Sequence, residues 1–288
     1  MKTAPAWVDR TLYPFTSHWL KVEENELHYI DEGQGEVLLF VHGTPEWSFG
    51  FRDLVKALRD SYRCVAVDLL GFGLSDKPPG EFYTCAAHSG RLEKFIQQLA
   101  LKNINIVAND FGGSIAMSYA LQHPENVNRI VLFNTWMRSL KAEPHYTRPA
   151  RVLRSIVGKF LYHTLNTPVN TIMPAAYGDK KKLTKKVHQH YKDALPKGDR
   201  KGPYAFALEM SYAHDWWQQL WDNMDRFDAN RFLIFWGLKD SFVPPAELAQ
   251  WKTKLPGATF VEFDDAGHFV QEEKPQEMVR GIREFLVR

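Results

Sequence analysis

Cysteine is almost missing from the 288-residue chain: Cys64 and Cys85 are the only two, and they form neither a redox nor a metal-binding spacing. A disulfide framework is not expected. Long apolar runs are missing too, since stretches such as Val37–Val41 and Phe232–Trp236 fall far short of the roughly 20 residues needed to cross a bilayer. The opening MKTAPAWVDR has no apolar core of the kind a signal peptide carries, so the expected location is the cytoplasm, with no membrane partner. Neither sign of charge prevails, with 36 Lys and Arg against 34 Asp and Glu, so there is no electrostatic case for nucleic acid. The run KKKLTKK (Lys180 to Lys186) reads as the solvated face of a helix. The pair His188 and His190 has no convincing third ligand and also reads as solvated helix, so no metal is expected.

Aromatic residues are plentiful, at 14% with nine Trp, in an otherwise ordinary globular composition. The chain is long enough for one large domain with an insertion. HWLKVEE followed by ELHYIDEG predicts a strand pair. From Glu36 the pattern becomes short, almost wholly apolar strands alternating with helix-length segments: EVLLFV, RCVAVDLL, INIVAND, RIVLFN, RFLIFW and TFVEF. Such strands belong to a parallel sheet covered on both faces, with helices expected near 50–60, 86–100, 112–123, 245–254 and 273–287. The expected class is α/β, a mostly parallel eight-stranded sheet with flanking helices. Residues 137–227 interrupt the rhythm and read as an inserted helical cap, including RVLRSIVGKFLYHTL and FALEMSYAHDWWQQLWDNM. Residues 1–136 and 228–288 then form the core. An insertion at the carboxyl ends of the strands would roof a ligand pocket.

The most informative segment is INIVANDFGGSIAMSYA. A strand runs into Asp110 with Ala108 two before and Gly112 two after, the small-x-nucleophile-x-small pattern of a sharp strand-to-helix turn. Alone, an aspartate before two glycines also fits an ordinary helix cap. The segment WGLKD then delivers Asp240 after a strand, and DDAGHFVQEE delivers His268 after the last one. The order nucleophile, acid, histidine is the α/β-hydrolase order, in which Asp240 would orient His268. His42-Gly43-Thr44-Pro45 offers the backbone N–H of Thr44 for an oxyanion hole, with that of Phe111 as the second donor. DLLGFGLSDKP, with Asp68, Gly71 and Gly73, reads as architectural.

An aspartate at this place suits displacement at saturated carbon, giving an alkyl ester that water activated by His268 then hydrolyses. With these residues in view, the chain resembles the haloalkane dehalogenase and epoxide hydrolase branch of the α/β-hydrolases. The likeness runs through LYPFTSHWL, LHYIDEG, HGTPEWSF, DLLGFGLSDKP, ANDFGG, LFNTWM, WGLKD and GHFVQEE, and its ends look more like dehalogenases. The resemblance implies an α/β-hydrolase fold, Asp110 as nucleophile, His268 as base, Asp240 as triad acid and a cis Thr44-Pro45 bond. It also implies a small apolar substrate with water, a halide ion as product and no cofactor. Two places depart from the family pattern. Dehalogenases usually carry Trp after the nucleophile and many carry Asn at the third place of the His-Gly-x-Pro loop, whereas here stand Phe111 and Thr44. Another donor would have to hold the halide: Trp136, Trp47 or Trp216, each of which also fits simple packing. The epoxide alternative needs a phenol, for which Tyr146, Tyr162, Tyr177, Tyr191, Tyr204 and Tyr212 are candidates in the insertion. A scaffold that binds a small ligand without catalysis is the third reading.

Overall fold

A computed structural model describes residues 2–287. Eight strands, β1 (His18–Val22), β2 (Asn25–Glu32), β3 (Val37–Val41), β4 (Arg63–Val67), β5 (Ile104–Asn109), β6 (Val127–Phe133), β7 (Phe232–Gly237) and β8 (Thr259–Phe263), form one sheet. Its order is β1-β2-β4-β3-β5-β6-β7-β8. The β1–β2 hairpin lies antiparallel at one edge, and β2 joins β4 antiparallel. All pairings from β4 across to β8 are parallel. The central strands are mostly apolar because both faces are covered. Leu39 and Val41 of β3 enter the core on one face, Leu38 and Phe40 the core on the other.

The core helices are α1 (Arg52–Leu58), α2 (Cys85–Gln98) and α3 (Asp110–Gln122). Six more lie between β6 and β7: α4 (Pro144–Leu153), α5 (Ile156–His163), α6 (Met173–Ala176), α7 (Lys185–Asp193), α8 (Lys201–Tyr212) and α9 (His214–Asp222). The chain closes with α10 (Pro245–Lys254), α11 (Val270–Glu273) and α12 (Pro275–Leu286). Both long helical readings of the insertion are divided in the structure. RVLRSIVGKFLYHTL breaks at Ser155, whose hydroxyl accepts from the Gly158 N–H and caps α5. FALEMSYAHDWWQQLWDNM breaks at Ala213 between α8 and α9. Hydrophobic spacing carries across such a corner, so periodicity alone does not reveal it.

The lysine run is mostly turn: α7 begins only at Lys185, and Lys186 pairs with Asp9. The reading of His190 as solvated is also corrected. Its ring is buried, stacked on Phe49 at 4.7 Å, and its Nε2 accepts the backbone N–H of Asp9. Among the described residues, no group of three metal-ligating side chains occurs and no helix is long and apolar enough to cross a membrane.

β3 sits between β4 and β5, so chain direction through the sheet reverses there, the usual crevice for a ligand in an open α/β sheet. Val41 pairs with Ala108, which brings the loop after β3 against the turn after β5.

Candidate active site

Asp110 opens α3 directly from β5 with φ +49°, a left-handed conformation rare for a residue bearing a side chain. Such strain persists only where the surroundings enforce it. Gly112 permits the turn, because a Cβ there would collide with the carbonyl oxygens of Val41 and His42. A Cβ on Gly43 would overlap the Asp110 side chain itself. The Asp110 backbone is further tied by its N–H to the Asn134 carbonyl at 3.2 Å and by its carbonyl to the Thr135 hydroxyl at 2.6 Å.

The raised carboxylate meets two groups. Oδ1 accepts the backbone N–H of Thr44 at 2.8 Å, and Oδ2 lies 3.4 Å from Nε2 of His268. Phe111 is the second residue of α3, so its own N–H has no carbonyl four residues back within the helix. The Thr44-Pro45 bond is cis. His268 Nδ1 lies 2.7 Å from Oδ2 of Asp240. That same oxygen accepts from the Asn134 side chain at 2.8 Å, and Oδ1 of Asp240 accepts from the backbone N–H groups of Phe242 and Val243. Burial alone would lower the basicity of His268, but the negative charges of Asp240 and Asp110 outweigh it and hold the imidazole well above its ordinary value. Asp110, His268 and Asp240 thus form one connected set, all three buried.

Above them lies an apolar cavity of about 310 Å³. Thr44, Phe111 and Trp136 line its sheet side, and Tyr146, Leu153 and Tyr162 are among the cap residues that close it. Three donors of lining residues have no partner in the protein: the Trp136 indole N–H, the Thr44 hydroxyl and the Tyr146 hydroxyl. A buried donor without a partner is costly unless a ligand or water meets it. Trp136 stands edge-on to Phe111 at 4.9 Å and to Trp217 at 5.5 Å.

The other two indole expectations are corrected. Trp47 does not line the cavity. It is buried in the core on the other sheet face, against Trp7, Tyr13 and Phe49. Trp216 is half-exposed and also outside the cavity. Its neighbour Trp217 is the one turned inward, since adjacent helical side chains diverge by about 100°. Of the six tyrosines, only Tyr146 and Tyr162 reach the cavity. Tyr191 donates to Glu272 at 2.5 Å, Tyr204 donates to the Leu153 carbonyl, Tyr212 is exposed and Tyr177 packs on Phe269.

Sequence reasoning missed two contributors. Asn134, at the end of β6, holds Asp240 and also accepts the Gly237 N–H, and its only sequence signal is its place after an apolar strand. Glu46 is a fully buried carboxyl that receives the side-chain amides of Asn109, the residue before Asp110, at 2.6 Å and of Gln271 at 2.5 Å. Burial pushes its pKa up to about 8 despite the Asn109 hydrogen bond. The amide oxygens of Asn109 and Gln271 are both unpartnered, so a half-turn of either side chain would accept the proton of neutral Glu46.

Comparison with known proteins agrees with the fold. A family model described as "alpha/beta hydrolase fold" matches residues 36–275. Haloalkane dehalogenase 2 of Mycobacterium tuberculosis is 32% identical over 96% of this chain and 96% of its own length. A cis-3-alkyl-4-alkyloxetan-2-one decarboxylase of Shewanella oneidensis is also 32% identical, over 96% of this chain and 90% of its own. Among solved structures, haloalkane dehalogenase DatA of Agrobacterium tumefaciens superposes with a TM-score of 0.84 at 20% identity, covering 95% of this chain and 96% of that one.

Proposed function

The chain belongs to the α/β-hydrolase family, in its haloalkane-dehalogenase-like branch, and from that premise we propose that it hydrolyses small apolar haloalkanes through an ester formed on Asp110. Oδ1, already held by Thr44, is the oxygen set to carry negative charge later; Oδ2 is the nucleophile. Its attack on the halogen-bearing carbon forms a C–O bond and releases halide with the C–X electron pair. Ester formation removes the charge of Asp110 that helps keep His268 protonated. The imidazolium proton is then lost to solvent, and the neutral ring, held by Asp240, takes a proton from water as that water attacks the ester carbonyl. The resulting oxyanion rests on the Thr44 and Phe111 N–H groups. The His268 imidazolium gives that proton to the departing alkoxide, alcohol leaves, and one oxygen from water remains in the regenerated carboxylate.

The observation that carries the halide reading is the unpartnered indole N–H of Trp136 on the cavity wall, with the free Thr44 hydroxyl as companion. A leaving anion in a dry cavity needs such donors, and the Phe111 side chain supplies none. A second reading, epoxide opening, is favoured by Tyr146, a phenol in the roof of the same cavity whose hydroxyl is also free.

The test has two arms. Bromoalkanes, epoxides and, given the decarboxylase relative, four-membered lactones are assayed side by side for halide, diol and carbon dioxide. Halide release alone from the first group is the expected result; turnover confined to either of the others overturns the halide reading. In parallel, His268→Gln is incubated with a bromoalkane and digested. A mass increase by the alkyl group on the Asp110 peptide is expected, and its absence despite halide release would remove the covalent step.

A further inference from the structure

Eight large apolar side chains are exposed among the described residues, and five of them, Val152, Ile156, Val157, Phe160 and Leu165, fall within one short stretch of the cap. A sixth, Tyr212, joins them, since the guanidinium of Arg154 lies over its ring at 5.4 Å. Clustering of this kind is unusual on a surface that faces only water. The outward face of α5 carries Ile156, Val157 and Phe160, while Gly158 and Tyr162 turn inward.

Charge in this region is one-sided. From Pro144 to Gly178 there is no Asp or Glu, whereas Arg148, Arg151, Arg154 and Lys159 all stand exposed. None of these four makes an ion pair among the described residues, although Arg52, Arg63, Arg91 and Arg138 elsewhere in the chain each hold a carboxylate. Lys201 and Arg200 add to the field. After burial itself, the charges of Lys159, Lys201 and Arg200 hold the nearby His163 imidazole below its ordinary value. The near-zero net charge of the chain therefore conceals a basic, apolar corner.

The geometry points to this α4–α5 corner as a docking surface for an anionic phospholipid bilayer. Apolar side chains ringed by arginine and lysine, with no acidic residue between, complement acyl chains beneath negative headgroups. A second copy of the chain fits less well, because a symmetric contact would press these cations against themselves. The same helices that carry the patch outward line the cavity inward, with Ala150 and Leu153 from α4 and Tyr162 from α5. Docking would thus place the cavity wall next to the phase in which an apolar compound concentrates. The surface is independent of the chemistry proposed at Asp110, and its test needs no turnover.

The intact protein is sedimented with vesicles of phosphatidylcholine alone or with about one third phosphatidylserine, at low and high salt. Binding at least about tenfold tighter to the anionic vesicles, weakened by salt, is expected. Ile156→Ser with Phe160→Ser should weaken it about tenfold or more, and Arg151→Glu with Lys159→Glu should abolish it. All four positions are exposed and outside the cavity, so melting temperature and turnover of a water-soluble substrate serve as folding controls. Three outcomes overturn the proposal: no vesicle binding, equal binding to neutral vesicles, or binding that both variants retain. Self-association that the serine variant removes, seen by sedimentation velocity without vesicle binding, would assign the face to a second copy. Retention on an acidic protein without vesicle binding would assign it to a protein partner.

Discussion

On the sheet side of the cavity, polar groups are tied into a chain of short contacts that runs from Thr44 through Asp110 and His268 to Asp240 and Asn134. On the cap side, the lining includes Leu153, Pro149, Ala150, Ala207 and Met210, with His145, Tyr146 and Tyr162 as polar exceptions. The first surface holds each charge to one geometry, because an aspartate displaced by an ångström no longer meets its partners. The second offers mainly shape and dryness, which strengthen the electrostatics below while selecting what enters. Substitutions on the sheet side should therefore change turnover, and substitutions in the roof should change which compounds are accepted.

The severest test of that contrast is Asp110→Ala, which should lower turnover by about four orders of magnitude while leaving the melting temperature unchanged or higher. Residual activity within about a hundredfold of the parent would place the nucleophile elsewhere. Trp136→Phe keeps the ring packing but deletes one N–H donor. Halide release should fall by roughly tenfold to a hundredfold, and bromide quenching of indole fluorescence should diminish. Tyr146→Phe should by comparison leave halide release within a few-fold, and a larger loss with Tyr146→Phe than with Trp136→Phe would favour the phenol as the group that meets the leaving atom. Asn134→Ala frees one hydrogen bond to Asp240 and should slow ester hydrolysis about tenfold without changing the rate of ester formation, a split readable in single-turnover kinetics.

The smallest expected effect concerns Glu46. Its folded pKa, about 8, lies above the ordinary carboxyl value of 4.5, so the folded state holds a proton that the unfolded chain has released. Stability from this group is present below about 4.5 and is lost as pH rises toward about 8. Between about pH 5 and about pH 9 the parent protein should lose a few degrees more of melting temperature than Glu46→Gln does. Equal slopes in the two proteins would show Glu46 ionised throughout.

Much of this site is visible along the chain because its parts are local. The strand-to-helix turn at Asp110 needs small neighbours two places away on either side, and Asp240 and His268 each follow a strand by a few residues. Steric demands of that kind act over five residues and leave a pattern. The role of an indole does not. Trp47, Trp136 and Trp216 look alike in sequence, yet one fills the far core, one lines the cavity and one is half-exposed outside it. His190 reads as a surface residue until Phe49 is found stacked upon it.

Near neighbours in the chain already settle the sheet, the sharp turn at Asp110 and the chain order Asp110, Asp240, His268, since strand periodicity and turn sterics act locally. Long-range packing alone settles which indole and which phenols reach the cavity. It also buries Glu46 almost completely and gathers the exposed apolar residues of the cap beside arginines without ion pairs. Each of these depends on elements far apart in sequence packing together, as Glu46 and Gln271 do across 225 positions, and no local pattern encodes which of many similar side chains will meet.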